Sequence, residues 1–452
     1  MEHGGLQEAW VCTMDMYAEP ARFFEVFPGL LAAGRLVLVH GYEDRDREKA
    51  ISAAFREFVP DTTCFCPYTP PYGTHHSKAF VLFYEDKVRV IIHTANLIDE
   101  DLFKKSEGVW FQDFPRRSAL GGAESSASPA WPAAAIERFG PRLNRYFAHL
   151  FANSRGAVRA ANQRSLLARL DEHDFTGASA ALIATVPGKS TRADGWGLHG
   201  LAASLRTVVH GPRCEWPIVL QFTSMGSQRL SGRQAGTWLE HELAAVMANP
   251  VKPRAPRAGQ LSIVFPTGEN CVESNLGMVH GLFCHAADYV NLANHFCAWD
   301  ASTGFPSRQR AMPHIKSYAA YNPVDPRELA WCCITSANCS KSAWGALRAN
   351  GDLYARSYEL GVLVAPGLAG VPGTHKLVTR HGLPGGPRGR QAPVSGQVEV
   401  VAPLPYLLPP RRYPRGALPG PLAASAAKAS STALAALGVA PRLASFRGAP
   451  RV

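Results

Sequence analysis

Runs of apolar residues, some alternating with polar ones, predict short β-strands in the first half of the chain. Residues 36–40 and 62–68 form two such runs. The runs at 79–84 and 88–94 flank a charged turn, which predicts a β-hairpin. Residues 134–151 instead carry apolar side chains at helical spacing. Strands that alternate with helices predict an α/β fold.

The second half of the chain repeats this order. Strand-like residues 261–265 precede a helical stretch at 285–299, and further strand-like runs follow at 329–334 and 360–364. The repetition predicts two similar domains, each a mixed β-sheet flanked by helices.

A break in the pattern near residues 171–176 marks the predicted domain boundary. The N-terminal domain then covers residues 1–173 and the C-terminal domain covers residues 174–408. Residues 409–452 are rich in Pro, Ala, Ser and Arg and have little apolar periodicity. We therefore expect them to form a flexible tail.

The composition is that of a globular protein, with 452 residues of which 46% are hydrophobic. The N-terminus lacks the pattern of a signal peptide, and no apolar run approaches the ~20 residues that span a bilayer. The 10 cysteines show neither zinc-binding spacing nor the density of a small disulfide-rich domain. We expect a cytosolic or nuclear protein with reduced cysteines.

The positive charge is concentrated near the C-terminus. Residues 366–452 contain 11 Lys and Arg and one acid, a net charge of +10 out of the total of +11. The body of the protein is therefore nearly neutral, so its ligand must be held by local geometry. The basic end would add a salt-dependent, sequence-independent attraction to polyanions such as nucleic acid.

Two segments of the sequence set a histidine two residues before a lysine. They are His76 with Lys78 and His314 with Lys316. In a β-strand, positions two apart face the same side. One such pair is a weak signal because it occurs by chance in long chains. Two copies at equivalent places of a repeated pattern indicate a shared function.

An asparagine follows each pair after the next strand-like runs. Asn96 lies 18 residues after Lys78 (96 − 78), and Asn338 lies 22 residues after Lys316 (338 − 316). Two such units that meet across a pseudo-twofold axis would form a pocket with two imidazoles, two ammonium groups and two carboxamides. Lysines and amides can hold phosphoryl oxygens while imidazoles exchange bonds and protons, so the pocket suits a phosphodiester.

The sequence around the two pairs departs from a common motif in an informative way. The motif His-x-Lys-x4-Asp is broken because Phe83 and Tyr321 stand five residues after the lysines. This departure and the sequences at 73–76, 311–316 and 335–345 resemble the tyrosyl-DNA phosphodiesterase family within the phospholipase D superfamily. The resemblance also includes residues 356–362 and runs in order from about residue 37 to residue 410.

The resemblance implies a phospholipase D-like fold with the active site at the interface of two pseudo-twofold domains. It implies that His76 is the nucleophile, which forms a phosphohistidine with a DNA 3′ phosphate. His314 would protonate the leaving tyrosine and then deprotonate water, and an imidazole pKa near ~6.5 suits both roles. The non-bridging oxygens would be held by Lys78, Lys316, Asn96 and Asn338.

Two carboxylates are expected to orient the histidines. Glu359 matches a glutamate of the family, whereas Glu107 stands where relatives often carry glutamine. A charged partner favours the imidazolium form, so we expect Glu107 to raise the pKa of the histidine that it touches. The alternative for each glutamate is an ordinary salt bridge.

Four further residues are candidates for substrate binding. By resemblance, Tyr72 would stack on a DNA base, and Ser224 would lie beside the DNA backbone. Ser340 is placed to donate a hydrogen bond to phosphate, and Lys341 is a candidate for a secondary phosphate contact. The alternatives are a core tyrosine at position 72 and an ordinary solvated lysine at position 341.

We expect no metal or other cofactor, because the sequence shows no cluster of carboxylate, Cys and His ligands. The resemblance implies a monomeric nuclear enzyme of DNA repair; a cytoplasmic location is the alternative. Its partners would be single- or double-stranded DNA with 3′-phosphotyrosyl or other 3′ adducts, and a topoisomerase-derived peptide, without a membrane.

Two other functions are compatible with the same pocket. One is a phospholipase D-like nuclease or lipid phosphodiesterase, and the missing motif aspartates argue against the lipid substrate. The other is a DNA-binding protein with a decayed site. The intact His, Lys and Asn in both halves argue against this second alternative.

Overall fold

A computed structural model describes most of the chain. The described residues are 5–117, 138–230, 236–277, 281–302, 308–369, 375–379 and 398–428. They form two large mixed β-sheets with helices packed on their faces, and two smaller sheets. No helix in these ranges has both the length and the apolar character needed to span a bilayer.

The described residues of the first half form seven strands. They are β1 (Glu8–Cys12), β2 (Arg35–Val39), β3 (Thr62–Phe65), β4 (Ala79–Phe83), β5 (Lys87–His93), β6 (Lys105–Ser106) and β7 (Val109–Pro115). All except β6 form one sheet in the order β3-β2-β1-β4-β5-β7. Strands β3, β2 and β1 are parallel, and β4, β5 and β7 continue the sheet in antiparallel fashion. The predicted hairpin is confirmed as β4 and β5.

Helices cover both faces of this sheet. They are α1 (Pro20–Val26), α2 (Arg45–Arg56), α3 (Phe139–Ala152) and α4 (Ala160–Asp171). The apolar strands are buried on both sides, because Val11 packs with the α1 and α2 side chains while Trp10 packs with α3. Helix α2 begins where the Asp44 side chain accepts hydrogen bonds from two backbone N–H groups.

In the second half, the part of the chain that the structure describes contains thirteen strands. They are β8 (Ala181–Thr185), β9 (Gly188–Ser190), β10 (Ile218–Gln221), β11 (Leu261–Phe265), β12 (Phe296–Ala298), β13 (Met312–Pro313), β14 (Ser317–Tyr321), β15 (Glu328–Thr335), β16 (Ala346–Leu347), β17 (Leu353–Ala355), β18 (Glu359–Val364), β19 (His375–Val378) and β20 (Val398–Val401). The main sheet has the order β12-β11-β10-β14-β15-β18-β8, and β19 pairs with both β15 and β20. Strands β16, β17 and β9 form a small separate sheet.

The second half also has seven α-helices within the described residues. They are α5 (Gly197–Val208), α6 (Ala244–Ala248), α7 (Gly268–Glu273), α8 (Ala286–Leu292), α9 (Lys341–Trp344), α10 (Pro366–Ala369) and α11 (Gly420–Lys428). Helix α5 packs against β8, as does α3 of the first half. The core cluster around α3 includes Leu182 and Leu360, so one apolar core joins the two sheets.

The predicted internal repeat is confirmed by the sheet topology. Strands β12-β11-β10-β14-β15-β18 have the same order and the same parallel and antiparallel pairings as β3-β2-β1-β4-β5-β7. Strands of the first sheet end at Pro115 and those of the second begin at Ala181. The division into residues 1–173 and 174–408 stays a prediction.

Residues 409–428, which the composition assigned to a flexible tail, instead pack on the second half. The Arg411 carbonyl accepts a hydrogen bond from Ala298 N at 2.8 Å, and the Tyr413 hydroxyl donates to Phe265 O at 2.9 Å. Helix α11 then lies against α7. The segment was misassigned because its few apolar contacts show no period, while its backbone satisfies strand ends of the sheet. Residues 429–452 lie outside the described residues.

Candidate active site

The first His-Lys pair lies in the segment that enters β4. His76 N donates to Tyr358 O at 3.0 Å, and Tyr358 N donates to Thr74 O at 2.9 Å. Tyr358 directly precedes β18 of the second sheet. The segment that carries His76 is therefore held by a strand end of the other half.

The second His-Lys pair is held in the reciprocal way. Strand β13, just before His314, pairs in parallel with β6 of the first half. His314 N and Ile315 N both donate to Ser106 O, at 3.0 and 2.8 Å. Each histidine is thus fixed by backbone hydrogen bonds from the opposite half.

The backbone carbonyls that accept these hydrogen bonds belong to Tyr358 and Ser106, and a glutamate follows each of them in the sequence. Each glutamate contacts the imidazole of the histidine that its neighbour binds. Glu359 Oε2 lies 2.9 Å from His76 Nδ1, and Glu107 Oε1 lies 2.8 Å from His314 Nδ1. The structure therefore brings together both His-Glu pairs that the sequence predicted. Because the carboxyl groups occupy Nδ1, Nε2 is the nitrogen left on each ring to react with a substrate.

The two lysines have matching positions. Lys78 Nζ donates to His76 O at 2.8 Å, and Lys316 Nζ donates to His314 O at 2.6 Å. Both side chains are fully buried. Burial and the charge of Lys316 lower the pKa of Lys78 to about 7, and burial lowers the pKa of Lys316 to about 8. The charge of Lys316 acts on Lys78, which indicates that the two motifs lie close together.

The two asparagines of the site differ in their partners. The Asn338 carboxamide oxygen accepts from Thr223 N at 3.1 Å and from Ser224 N at 3.0 Å. The buried Oδ1 of Asn96 has no hydrogen-bond partner within the described ranges. Asn96 is therefore the carboxamide whose oxygen has unused hydrogen-bonding capacity in the free protein.

The His76 pair combines a neutral imidazole with an ionised carboxylate. Burial lowers the pKa of His76, although Glu359 opposes this effect. Burial raises the pKa of Glu359, but the His76 contact and the hydrogen bond from Ser336 Oγ outweigh it and leave the pKa below its ordinary value. An ionised Glu359 accepts a hydrogen bond from Nδ1–H of His76. The lone pair of the neutral ring is then on Nε2.

The expectation for Glu107 is corrected. Burial raises the pKa of Glu107 to about 8. Glu107 also lines an apolar pocket, together with Phe80, Leu97 and Val109. Burial and Lys316 hold the pKa of His314 well below its ordinary value. A charged Glu107 that raises the pKa of this imidazole is therefore not what the structure shows.

Asp101, which no sequence pattern indicated, also faces His314. Asp101 Oδ2 lies 3.3 Å from His314 Nδ1 and accepts from Asn96 N at 2.9 Å, while Oδ1 accepts from Lys105 Nζ at 2.8 Å. Burial raises the pKa of Asp101, but the charges of His314 and Lys105 outweigh burial and leave this pKa below its ordinary value. Asp101 lies in a single π-helical turn, Glu100–Lys104, which leaves no periodic signal in the sequence.

Asp101, Glu107 and His314 are also the described residues that could hold a metal ion. Their ligand atoms lie within 4.8 Å of one another. Lys105 Nζ already supplies a positive charge at this point, 2.8 Å from Asp101. That the reaction needs no metal stays a prediction.

Tyr72 lies on the surface next to the segment that carries His76. Its side chain is 91% exposed, which excludes the alternative of a core tyrosine. Its φ of 64° is unusual for a residue with a side chain. The Arg356 guanidinium donates to Pro71 O at 2.6 Å and lies 5.8 Å from the Tyr72 ring centroid. The turn therefore presents an open aromatic face.

The other predicted substrate residues cluster around Asn338. Ser224 O accepts from Cys339 N at 3.2 Å. Ser340 begins helix α9, with its Oγ accepting from Ala343 N at 3.2 Å, so the hydroxyl hydrogen is still available to a ligand. Lys341 Nζ donates to the Arg229 carbonyl, and its side chain is only partly exposed.

Comparison with known proteins identifies the protein family of this chain. The chain is 32% identical over 352 residues to tyrosyl-DNA phosphodiesterase 1 of Arabidopsis thaliana, which covers 75% of this chain. It is 29% identical over 361 residues to the Drosophila melanogaster protein of the same name. The chain spans 54% of the plant protein and 57% of the fly protein.

The fold is also that of a solved relative. The crystal structure of the yeast tyrosyl-DNA phosphodiesterase matches with a TM-score of 0.63 and 18% identity, over 91% of each chain. The family model for tyrosyl-DNA phosphodiesterase matches residues 23–414, a range that includes both His-Lys segments. The chain belongs to the tyrosyl-DNA phosphodiesterase family.

Proposed function

We propose that this protein is a DNA repair phosphodiesterase that hydrolyses the bond between a topoisomerase tyrosine and a DNA 3′ phosphate. The observation that carries the proposal is the pairing of two His-Glu dyads, in which both histidines are buried. Each imidazole has its Nδ1 against a carboxyl group of the opposite half, and a buried lysine lies beside each. The names of the plant and fly relatives support the choice of substrate.

The proposed first step joins the DNA to the enzyme. Nε2 of His76 attacks phosphorus, the phosphorus–nitrogen bond forms, and the bond from phosphorus to the tyrosine oxygen breaks. His314 supplies the proton that the tyrosine oxygen takes. The ionised Glu359 supports this assignment, because it keeps the proton of His76 on Nδ1 and the lone pair on Nε2.

The proposed second step releases the enzyme. His314 removes a proton from water, the water oxygen bonds to phosphorus, and the bond to His76 breaks. Phosphoryl charge would be held by the ammonium groups of Lys78 and Lys316 and by the two site asparagines. The exposed ring of Tyr72 is suited to stack on a base near the scissile phosphate.

Release of tyrosine from a 3′-phosphotyrosyl oligonucleotide in excess EDTA tests this proposal. We expect turnover in the presence of the chelator, since the site places cationic side chains where many nucleases place metal ions. An unmodified oligonucleotide and a phosphatidylcholine vesicle serve as competing substrates. Faster cleavage of either one, or activity only with added Mg²⁺, would contradict the proposal.

The cellular setting follows from the proposed substrate. An enzyme that acts on chromosomal DNA is expected in the nucleus, and its pocket is complete within one chain, so we also propose that it acts as a monomer. Imaging of a fluorescent fusion and light scattering of the purified protein test these two points. A cytoplasmic fusion or a stable dimer would contradict them.

A further inference from the structure

The two glutamates of the site have different surroundings. Glu359 accepts a hydrogen bond from Ser336 Oγ at 2.5 Å in addition to its contact with His76. Glu107 accepts from Thr94 Oγ1 at 2.5 Å, and it lines the apolar pocket. Apolar neighbours offer a carboxylate no hydrogen-bond donors, so they favour the protonated acid at Glu107.

A fixed negative charge adds to this effect. Asp101 is within 3.3 Å of the same His314 nitrogen that Glu107 contacts, and Lys105 and the Asn96 N–H keep Asp101 ionised. Two carboxyl groups that converge on one ring nitrogen resist carrying two negative charges. With Asp101 ionised, the proton that remains in the group belongs to Glu107 and His314.

Other charges act on Glu107 from the neighbouring elements. Lys316, in the segment that enters β14, and Lys78, in the segment that enters β4, both favour its ionised form. Burial and Asp101 oppose them, and the net result is a pKa of about 8. Near neutral pH, the Glu107–His314 pair therefore holds one proton more than the Glu359–His76 pair.

We propose that Glu107 stores a proton for His314 and passes it to Nδ1 when Nε2 gives its own proton to the leaving tyrosine oxygen. This inference rests on the function proposed above. The O–H bond of Glu107 breaks as the Nδ1–H bond forms. The Nε2–H bond breaks as the tyrosine O–H bond forms. Glu107 ends as a carboxylate beside Nδ1–H, and both transfers reverse when His314 takes a proton from water.

A glutamine at this position could make the same hydrogen bond but could not release a proton. Glu107→Gln therefore separates proton storage from ring orientation. Infrared spectroscopy of the unliganded protein is the first test, because it does not depend on activity. We expect the carbonyl band of a protonated carboxylic acid, which titrates near pH 8 and disappears in Glu107→Gln. Glu359→Gln should leave this band in place.

Single-turnover formation of the covalent DNA adduct is the second test. In the native protein, the rate should fall above about pH 8, when the stored proton is lost. In Glu107→Gln, this fall should begin at least about one pH unit lower, because His314 alone must hold its proton. In mixtures of H₂O and D₂O, two protons in flight should give a curved dependence of rate on deuterium fraction in the native protein and a straight one in the variant.

Glu100→Gln is the matched control for these measurements. Glu100 also contacts Lys105 Nζ, at 2.8 Å, but is partly exposed and makes no contact with His314. Its loss should leave the infrared band and the pH profile unchanged. The same early fall in Glu100→Gln would show that any lost charge near Lys105 has this effect and would overturn the proposal.

Two further outcomes are decisive. Absence of a titrating carboxylic acid band overturns proton storage whether or not the protein cleaves DNA. A band without cleavage of phosphotyrosyl DNA rejects only the proposed function. If Glu107→Gln does not fold, Asp101→Asn should move the midpoint of the band to lower pH, because the neighbouring negative charge is gone. An unchanged midpoint in that variant would also overturn the proposal.

Discussion

His76 and His314 occupy equivalent places in two halves with the same strand order, yet their surroundings differ. His76 faces one carboxylate, and that carboxylate is also bound to a serine hydroxyl. His314 faces two carboxyl groups, Asp101 and Glu107. The comparison teaches that a duplicated scaffold positions two identical side chains. Under the proposed mechanism, a few unmatched neighbours decide which histidine starts with a lone pair and which one with a proton.

The largest expected effect is on the covalent DNA adduct, in variants that lack one of the two histidines. His76→Ala should abolish adduct formation, because the proposed bond to phosphorus forms at Nε2 of His76. His314→Ala should let the adduct form but slow its release by about a hundredfold to ten-thousandfold, the range for loss of a general base. Quenched-flow denaturing gels of phosphotyrosyl DNA would measure both. Equal adduct levels in the two variants would reject the assignment.

The halves also differ because a C-terminal segment packs on the second sheet. Removing this segment gives the next largest expected effect, which is on stability. Deleting residues 411–452 removes Tyr413, whose hydroxyl bonds to Phe265 O and whose ring lies 5.6 Å from that of Phe296. We expect this deletion to lower the free energy of unfolding by about 3–5 kcal/mol, as for loss of a large packed aromatic. Urea unfolding would measure it, and an unchanged midpoint would contradict the packing.

Deleting only residues 429–452 is the matched control for that truncation. It removes Arg442, Arg447 and Arg451 but leaves α11 intact. Stability and the single-turnover rate should hardly change. If these arginines touch DNA, the slope of log affinity against log salt should flatten by up to about three.

Much of the fold and of the site could be predicted from the sequence because its signals repeat. The strand pattern around His76 recurs around His314, and a two-residue alternation places each histidine and its lysine on one face. The backbone pairing that holds His314 could not be predicted, because β6 and β13 are only two residues long and show no periodic pattern. Asp101 was missed for the same reason, since one irregular turn brings it to the site.

The protonation of Glu107 could not be predicted from sequence either. The family resemblance indicates only that Glu107 contacts a histidine, and the simplest expectation is a charged pair. The apolar pocket and the second carboxylate reverse that expectation, and both depend on tertiary packing. The composition after residue 408 likewise gave no indication that residues 409–428 pack on the second half.

The two asparagines sharpen the comparison on a smaller scale. Asn338→Ala leaves Thr223 N and Ser224 N without their acceptor, so it should cost about 1–3 kcal/mol of stability. Asn96→Ala removes an oxygen that has no partner in the described structure and should cost little stability. Both variants should slow adduct formation. Asn338→Asp keeps an acceptor oxygen and should recover most of the lost stability; equal losses in Asn96→Ala and Asn338→Ala would remove this difference between the halves.

The smallest expected effect concerns the two lysines and can be followed as proton uptake. A bound phosphodiester favours the protonated form of each lysine, so affinity should be highest below about pH 7 and fall as the pH rises above the free-state pKa values. At pH 7.5, pKa values of about 7 for Lys78 and about 8 for Lys316 leave room for about three quarters and about one quarter of a proton, respectively. Calorimetry of His76→Ala with phosphotyrosyl DNA, in two buffers of different ionisation enthalpy, would measure the sum. Adding Lys78→Met should remove more uptake than adding Lys316→Met, and the opposite order would show that the lysine of the second half, not that of the first, is the one neutral in the free protein.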